Sequence, residues 1–251
     1  MPDKSNLFTH FGFEQVPIND KARRVQKVFD QVSDRYDFMN DLMSFGLHRW
    51  WKKMAVNSGQ VRTSDVVLDL AAGTGDLTRQ WTEKVGESGH VVMTDINAAM
   101  LSKGADRILD ECGWGNVSFA QVNAASLPFP DNHFSCVSMA FGLRNVTDHL
   151  PVLSEANRVL RPGGRFVVLE FSQPDEGWFK KLYDQYSFKI VPKMGQVFAD
   201  DLASYQYLVE SIRRHPDHNR LRQLILNAGF DACSIQRLTQ GIVAIHTGVK
   251  F

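Results

Sequence analysis

The sequence predicts an α/β protein with a doubly wound, mostly parallel sheet, and three observations support this class. Short apolar runs recur through the middle of the chain and alternate with stretches of helical periodicity. These runs are apolar at nearly every residue, which is typical of strands that helices cover on both faces. With 251 residues, 43% of them hydrophobic, the chain is long enough to bury a large core in one domain.

The elements can be placed in order along the chain. A long helical region is predicted from about residue 21 to residue 57. Strands are predicted at 66–71, 90–95, 116–122, 134–141 and 164–171, and helices at 76–85, 97–111 and 148–159. The sequence LRPGG at 160–164 ends the last of these helices, because proline and two glycines do not continue a helix.

The end of the chain follows a different pattern. A helical stretch near 217–228 precedes DACSIQRL and GIVAIHTGVK, which Thr-Gln-Gly joins as a hairpin. One of its strands should enter the sheet antiparallel to the others. The sequence HPDH at 215–218 has a spacing that suits a metal, but no third ligand is nearby, so we predict no metal site and expect Pro216 to start the helix.

Composition excludes several classes of function. Lys plus Arg equals Asp plus Glu at 28 each, so the formal net charge is zero. The chain as a whole therefore has no electrostatic attraction for nucleic acid or an anionic membrane. The polar N-terminus does not resemble a signal peptide, and no run approaches the ~18 apolar residues of a membrane span. Three scattered cysteines suit a reducing compartment. We therefore expect a cytoplasmic protein whose contact with a membrane is at most peripheral.

A glycine-containing loop is the first candidate site. The sequence DLAAGTGD follows the first apolar strand and places Gly73 and Gly75 in the turn. Glycine lets a backbone lie directly against a ligand, although an ordinary strand-to-helix turn has the same composition. A dinucleotide fingerprint needs a further glycine or alanine where this chain has Thr78, and Asp76 adds a negative charge at the start of the helix. The loop thus favours a ligand without phosphates.

A carboxylate further along the chain indicates which ligand. Asp95 ends the second strand about twenty residues after Gly75, where it can accept hydrogen bonds from both hydroxyls of a ribose. A nucleoside with a cationic, phosphate-free group fits, and S-adenosylmethionine is such a molecule. Asp69 could then face its ammonium group. The alternative, which stays open, is that both aspartates cap helices and solvate turns.

Further motifs carry a resemblance to a known family. VVLDLAAGTGD and LRPGGRFVVLEF resemble the seven-stranded, Rossmann-like methyltransferases. The chain resembles, over nearly its whole length, the ubiquinone/menaquinone biosynthesis C-methyltransferase family of the UbiE type, through THFGF, YDFMNDLMSFGLHRWWK, LPFPDNHF, FGLRNVTD, YDQYSFKIVPKMG and GIVAIHTGVKF. It departs from that family at Ala72, where glycine is usual, and at Ala140, where serine is common.

The resemblance implies an activity and a set of contacts. It implies transfer of a methyl group from S-adenosylmethionine to a ring carbon of a polyprenyl hydroquinol in ubiquinone and menaquinone synthesis. The matching cofactor contacts are Thr74, Asp95, Asn123 and Ala124, with Ala140 the altered one, beside Asp69, Gly73 and Gly75 of the loop.

The chemistry of such a transfer indicates further residues. A fixed cation favours phenolate character in the ring, and Arg144 follows the fourth strand, with Asn145 placed to orient a ring oxygen or a water. A structural salt bridge from Arg144, for example to Asp148, is the alternative. Tyr183, Tyr186 and Ser187 are candidates for ring contacts, against ordinary helix packing. The base that removes the ring proton cannot be named from the sequence.

One methyltransferase domain over 1–251 accounts for the whole chain. Its segments are a helical N-terminal lid at 1–60, the cofactor-binding core at 61–172, a helical substrate-side insertion at 173–216, and the last helix and hairpin at 217–251. The sequence leaves open a homodimer or a complex with other enzymes of quinone biosynthesis.

Two stretches are candidates for contact with the substrate tail and a membrane. Residues 50–53, WWKK, and the apolar stretch 188–198 could form a lid and a channel for the prenyl tail at a membrane surface, or pack in the core. Two other functions stay open, a methyltransferase for RNA, protein or another aromatic acceptor, and a non-catalytic cofactor-binding scaffold.

Overall fold

The computed structural model describes residues 8–32, 36–112, 115–199 and 201–251. A small hairpin of β1 (Phe8–Phe11) and β2 (Glu14–Pro17) opens this part of the chain. The helices α1 (Ile18–Val32), α2 (Tyr36–Ser44) and α3 (Leu47–Ser58) follow. The segment 1–60, predicted as a helical N-terminal lid, thus also contains a hairpin in its described part.

The predicted single helical region at 21–57 is also interrupted. Between α2 and α3, Phe45 and Gly46 have φ angles of +51° and +74°, a left-handed conformation that no α-helix continues through. Gly46 adopts it without the steric cost that a side chain brings. The break turns α3 toward the sheet, where Trp51 and Val56 are buried.

The main sheet has seven strands. They are β3 (Val66–Leu70), β4 (His90–Asp95), β5 (Val117–Gln121), β6 (Phe134–Ala140), β7 (Leu160–Phe171), β8 (Ala232–Leu238) and β9 (Val243–Val249). Their order is β5-β4-β3-β6-β7-β9-β8, and β9 runs antiparallel to both β7 and β8, whereas the other neighbouring pairs of this described sheet are parallel. The predicted class, a mostly parallel sheet with one antiparallel strand near the C-terminus, is confirmed.

Helices cover both faces of this sheet. The predicted cofactor-binding segment, 61–172, contains α4 (Asp76–Val85), α5 (Ala98–Cys112) and α6 (His149–Val159). The insertion contains α7 (Trp178–Gln185), a π-helical turn (Tyr186–Ile190), α8 (Val191–Ala199) and α9 (Leu202–Arg214). The last helix is α10 (His218–Asn227), which Asp217 caps through the backbone N–H groups of Asn219 and Arg220, so Pro216 precedes this cap rather than starting the helix.

Alternating residues of the strands feed two apolar layers. Leu68 and Leu70 of β3 join a core with α6 and α10, whereas Val67 packs with α3 and α4 around Trp81. Asp69 shares the strand face of Val67 and is a polar exception within that layer. Because β3 and β6 lie side by side in the middle of the sheet, the chain crosses from one half to the other there, and the loops after these strands open onto a shared crevice.

Candidate active site

Three residues of the loop after β3 have positive φ angles, and two of them are glycines, which adopt such angles without steric cost. Ala71, Gly73 and Gly75 have φ angles of +50°, +59° and +84°. At Gly75 a Cβ atom would also lie 3.0 Å from Cγ1 of Ile108, so the positive φ angle and the tight space both favour glycine there. The α5 helix approaches this loop closely because Gly104 carries no side chain, and a Cβ on Gly104 would lie 2.6 Å from the carbonyl oxygen of Gly73.

Asp95 lies beside this loop at the carboxyl end of β4. Its Oδ2 accepts a hydrogen bond from the backbone N–H of Gly73 at 2.9 Å, and its Oδ1 accepts one from Asn97 at 2.8 Å. Burial raises the pKa of this carboxyl group. The structure therefore brings Asp95 and the glycine loop together, which is the placement that the ribose assignment requires.

Asp69 lies beneath the loop instead of at its surface. The side chain is 1% exposed, and its two oxygens accept hydrogen bonds from Thr78 Oγ1 at 2.7 Å and Ser138 Oγ at 2.6 Å. Burial raises its pKa to about 6, although these hydroxyl donors act in the opposite direction. Asp69 thus links β3 to α4 and β6, and contact with a ligand ammonium stays a prediction.

The charge of Asp76 at the start of α4 is compensated. Its carboxylate accepts hydrogen bonds from Lys52 Nζ at 2.5 Å and from Arg107 Nη1 at 2.8 Å. Burial opposes ionisation, but the two cations outweigh it and lower the pKa of Asp76 to about 2. The argument that Asp76 repels phosphate is therefore weaker than the sequence indicated. Lys52 itself is 7% exposed and Trp51 is 3% exposed, so neither lies at an outer surface as the membrane hypothesis for 50–53 supposed.

The remaining predicted cofactor residues lie along the same edge of the sheet. Asn123 is exposed after β5, where its Oδ1 accepts a hydrogen bond from Ala125 N at 3.0 Å, and Ala124 is half-buried beside it. Ala140 is the last residue of β6 and is half-buried. Thr74 is buried within the glycine loop. These positions agree with a ligand that extends from β3 to β5, and their individual contacts stay predictions.

An apolar cavity of about 500 Å³ adjoins this edge, between α2, α3 and the insertion. Aromatic and aliphatic side chains form most of its wall. Its polar side includes Arg144 and Asn145, and its lining also contains Tyr183, Tyr186 and Ser187, so the structure brings all five predicted catalytic and substrate residues to one cavity. The volume is that of a small-molecule site.

Arg144 is held in a short 3₁₀ turn that follows β6. Its backbone N–H and its Nη1 donate to the carboxylate of Glu170 at 3.1 Å and 3.2 Å, and Nη1 also donates to the carbonyl oxygen of Phe141. The guanidinium carbon lies 5.4 Å from the ring centre of Phe171. The structural partner is thus Glu170 and not Asp148, which instead caps α6. The buried Nε–H of Arg144 has no partner among the described residues.

Asn145 has a partner that the sequence did not indicate. The hydroxyl of Tyr207 in α9 donates to Asn145 Oδ1 at 3.0 Å, and burial raises the pKa of Tyr207 to about 12, so the hydroxyl stays protonated at neutral pH. This contact orients the Asn145 amide. The two residues are 62 positions apart, so no local pattern could have paired them.

The three predicted substrate residues have different surroundings. Tyr186 donates its hydroxyl to the carbonyl oxygen of Met43 at 2.8 Å, which links the π-helical turn to α2. Ser187 donates back to the carbonyl oxygen of Tyr183 within the helix. Tyr183 carries the guanidinium of Arg213 over its ring at 5.9 Å. These contacts leave the rings of Tyr183 and Tyr186 as cavity walls, whereas the hydroxyl of Ser187 has a partner within its own helix.

The donor set fits S-adenosylmethionine. Gly73 and Gly75 form a backbone cradle without Cβ atoms, and the N–H of Gly73 donates a hydrogen bond to the Asp95 carboxylate. A ribose needs such a carboxylate, and the close approach of a nucleoside needs such a cradle. Arg144 and the apolar cavity begin at the end of the neighbouring strand, β6.

Comparison with known sequences agrees with this geometry. The sequence profile of the ubiE/COQ5 methyltransferase family matches residues 18–250. The ubiquinone/menaquinone biosynthesis C-methyltransferase UbiE of Hahella chejuensis is 54% identical over 242 residues, which cover 96% of this chain and 97% of that protein. The protein of the same name from Photorhabdus laumondii is 51% identical over 251 residues and covers 100% of both chains.

Comparison with solved structures identifies the same fold. A SAM-dependent methyltransferase from Thermotoga maritima has a TM-score of 0.64 at 16% identity, covering 90% of this chain and 99% of that one. A phosphoethanolamine N-methyltransferase from Haemonchus contortus, solved with S-adenosyl-L-methionine, has a TM-score of 0.56 at 16% identity and covers 77% of this chain and 50% of that one. The predicted Rossmann-like fold is confirmed. The chain therefore belongs to the ubiE/COQ5 methyltransferase family, and it is a C-methyltransferase that uses S-adenosylmethionine.

Proposed function

We propose that the protein methylates a ring carbon of a polyprenyl hydroquinol, in the biosynthesis of ubiquinone and menaquinone, and that the ring lies in the 500 Å³ cavity beside Arg144. The observation that carries this proposal is the composition of that cavity. The surface of its wall is apolar over most of its extent, which suits a prenylated ring, and the polar side chains in its lining include Arg144 and Asn145 beside the predicted cofactor edge.

The cofactor would be held by Gly73, Thr74, Gly75 and Asp95 at one end and by Asn123, Ala124 and Ala140 along the sheet edge. When bound, S-adenosylmethionine supplies a methyl group already activated by a sulfonium. The protein must then align the ring carbon with that group and raise the electron density of the ring.

Arg144 raises the electron density of the ring by favouring negative charge on a ring oxygen. Glu170 and the carbonyl of Phe141 fix the guanidinium through Nη1, which leaves the Nε–H of Arg144 as a donor for that oxygen. Asn145, oriented by Tyr207, is placed to hold the same oxygen or a water. Fixed donors in a cavity with a mostly apolar wall act more strongly than the same donors in water.

Only the reduced ring should react, because the carbon of an oxidised quinone is electron-poor and cannot attack a sulfonium. Turnover is therefore measured with the same precursor as hydroquinol under a reductant and as quinone without one. Methylation of the hydroquinol alone supports the proposal. Equal rates on the oxidised ring, with re-reduction excluded, would contradict it.

The prenyl tail implies contact with a membrane surface. Phe45, Leu47, Leu182 and Ile190 line the cavity and are 78%, 41%, 57% and 48% exposed, so they form an apolar mouth. Lys181, Lys189 and Lys193 are exposed on the same insertion. None of the described helices has the length and apolar character needed to cross a membrane. We therefore propose a cytoplasmic protein whose cavity mouth rests on an anionic membrane surface.

Sedimentation with anionic phospholipid vesicles tests this membrane contact. Phe45→Asp at the mouth should reduce the bound fraction, whereas Phe251→Asp, which changes a residue 79% exposed at the chain end, should not. Equal binding of wild type and Phe45→Asp would contradict membrane contact through the cavity mouth.

A further inference from the structure

His48, on the first turn of α3, lies between two cavities. Its imidazole is 5% exposed and borders both the apolar cavity and a charged cleft of about 560 Å³ between α3 and α4. Nε2 lies 2.9 Å from Oδ1 of Asp41, a residue that lines the charged cleft and not the apolar cavity. Nε2 therefore points toward the cleft, while the same residue also lines the apolar cavity.

The hydrogen bond with Asp41 defines the tautomer of His48. Arg49 donates to both carboxylate oxygens of Asp41 and holds the pKa of that carboxyl below its usual range, so Asp41 is an anion that only accepts hydrogen bonds. Nε2 must then carry the hydrogen, and Nδ1 carries the lone pair. Nδ1 is buried and has no partner among the described residues.

His48 is neutral at physiological pH. Burial, with a smaller contribution from the ammonium of Lys52, lowers its pKa to about 4, although the carboxylates of Asp76 and Asp41 act in the opposite direction. The groups that face it from its own and neighbouring helices are thus Asp41, Arg49, Lys52 and Asp76. A neutral imidazole with a free lone pair is a proton acceptor.

The proposed reaction needs such an acceptor. Once the methyl group is attached, the ring carbon carries both the methyl group and its original hydrogen, and the ring regains aromaticity only when that C–H bond breaks. Among the described residues that line the apolar cavity there is no aspartate or glutamate. Burial raises the pKa of Tyr183, Tyr186 and Tyr207, so these three hydroxyls stay protonated at neutral pH and are poor proton acceptors.

We propose that Nδ1 of His48 is the base that removes this proton, with Asp41 as its positioning residue. The assignment rests on the proposed function. The C–H electron pair returns to the ring, the proton moves to Nδ1, and the Asp41 carboxylate stabilises the imidazolium until the proton passes to solvent. A weak base suffices, because restoring aromaticity makes the C–H bond strongly acidic.

A deuterium isotope experiment tests the assignment. The substrate is a short-prenyl hydroquinol with hydrogen or deuterium at the ring position that is methylated. Single turnovers with cofactor bound are compared for wild type, His48→Gln, Asp41→Asn and the control His90→Gln. The imidazole of His90 contacts Ser118 at the amino end of β4, the end opposite Asp95. The single-turnover rate of His48→Gln should be lower by about 10²-fold, and this variant should methylate the deuterium-bearing substrate more slowly than the hydrogen-bearing one. His90→Gln should match wild type.

Two further results complete the test. Free imidazole should restore part of the rate to His48→Ala, and cofactor affinity should stay at the wild-type value in each His48 variant. A His48→Gln protein with the wild-type rate, or with a slower rate that is insensitive to deuterium, would overturn the assignment. If His48→Gln does not fold, Asp41→Asn decides in the same way, because it retains the imidazole but removes the carboxylate charge that stabilises the imidazolium. A wild-type protein that methylates no hydroquinol would instead contradict the proposed function.

Discussion

Arg144 combines a structural contact with a proposed catalytic one. Its ion pair with Glu170 is almost completely buried, with side chains 5% and 1% exposed. Breaking a buried pair by removing one partner typically costs about 3–5 kcal/mol, because the remaining charge is left without compensation. The loss of Arg144 therefore combines a stability effect with any effect on rate, and the two must be measured separately.

Arg144→Ala should lower the single-turnover rate by about 10²–10³-fold and also lower the melting temperature. Arg144→Lys should recover little of the rate, since an ammonium lacks the planar fork that reaches both Glu170 and a ring oxygen. Glu170→Gln is the matched variant, because it removes the ion pair and keeps the guanidinium. It should lose stability and retain more of the rate than Arg144→Ala. An Arg144→Ala protein that is less stable but transfers methyl at the wild-type rate would leave Arg144 a purely structural role.

Residues that reach the site from distant elements limited the sequence prediction. Gly73, Gly75 and Asp95 could be placed because the two glycines follow a recognisable apolar strand and Asp95 ends another. Glu170, Tyr207 and His48 could not, because each enters the site through a tertiary contact with a residue far away in the chain or through the packing of α3 and α9. Asp69 was expected at the ligand surface, but strand alternation places it in the core.

At the scale of elements, the strands were predicted well and the N-terminal segment less well. A strand buried on both faces has a continuous apolar run, so β3, β4, β6 and β7 are visible in the sequence. The β1–β2 hairpin has only four residues in each strand, and its sequences FTHF and EQVP carry no comparable signal. The break between α2 and α3 depends on a left-handed pair at Phe45 and Gly46 that helical periodicity does not reveal.

The packing of α5 against the glycine loop is a testable element contact. Gly104→Ala would place a Cβ atom 2.3 Å from Met93 Cε and 2.6 Å from the Gly73 carbonyl oxygen, so the helix or the loop must move. We expect a loss of about 1–3 kcal/mol in unfolding free energy, as for other overpacked sites. Because Gly73 is displaced from Asp95, cofactor affinity should also fall.

Gly115→Ala, which lies outside α5, is the control for added volume, since a Cβ atom there meets no atom within 4 Å. Urea denaturation and calorimetric titration with S-adenosylmethionine measure the two effects. A Gly104→Ala protein with wild-type stability and affinity would show that α5 does not support the loop.

At the scale of the whole molecule, Asp69 couples stability to pH. Its pKa is about 6 in the folded protein and about 3.8 when exposed, so the folded state holds this proton more tightly than the unfolded chain. The stabilising contribution of this carboxyl to the free energy of unfolding is therefore fully present below about pH 4 and is lost as the pH rises through about 6. The difference between the two pKa values corresponds to about 3 kcal/mol.

Asp69→Asn removes this dependence. Between pH 4 and pH 7, its unfolding free energy relative to wild type should rise by up to about 3 kcal/mol in urea denaturation. Asp65→Asn is the control. Although burial opposes it, hydrogen bonds to Arg62 N, Ser135 and Arg161 lower the pKa of Asp65, so its contribution changes only at more acidic pH. A constant difference for Asp69→Asn over this range would contradict an Asp69 that is protonated near pH 6.

The central claim is methyl transfer to a ring carbon, and the position of the transferred methyl group tests it most directly. The wild-type protein is incubated with S-adenosylmethionine carrying an isotopically labelled methyl group and with a reduced, short-prenyl benzoquinol or naphthoquinol. Nuclear magnetic resonance of the product then identifies the atom to which the label is bound. We predict a methyl group on a ring carbon, formed at the expense of that carbon's hydrogen. A methyl group on a ring oxygen, or no label in either hydroquinol while the cofactor binds, would contradict the account.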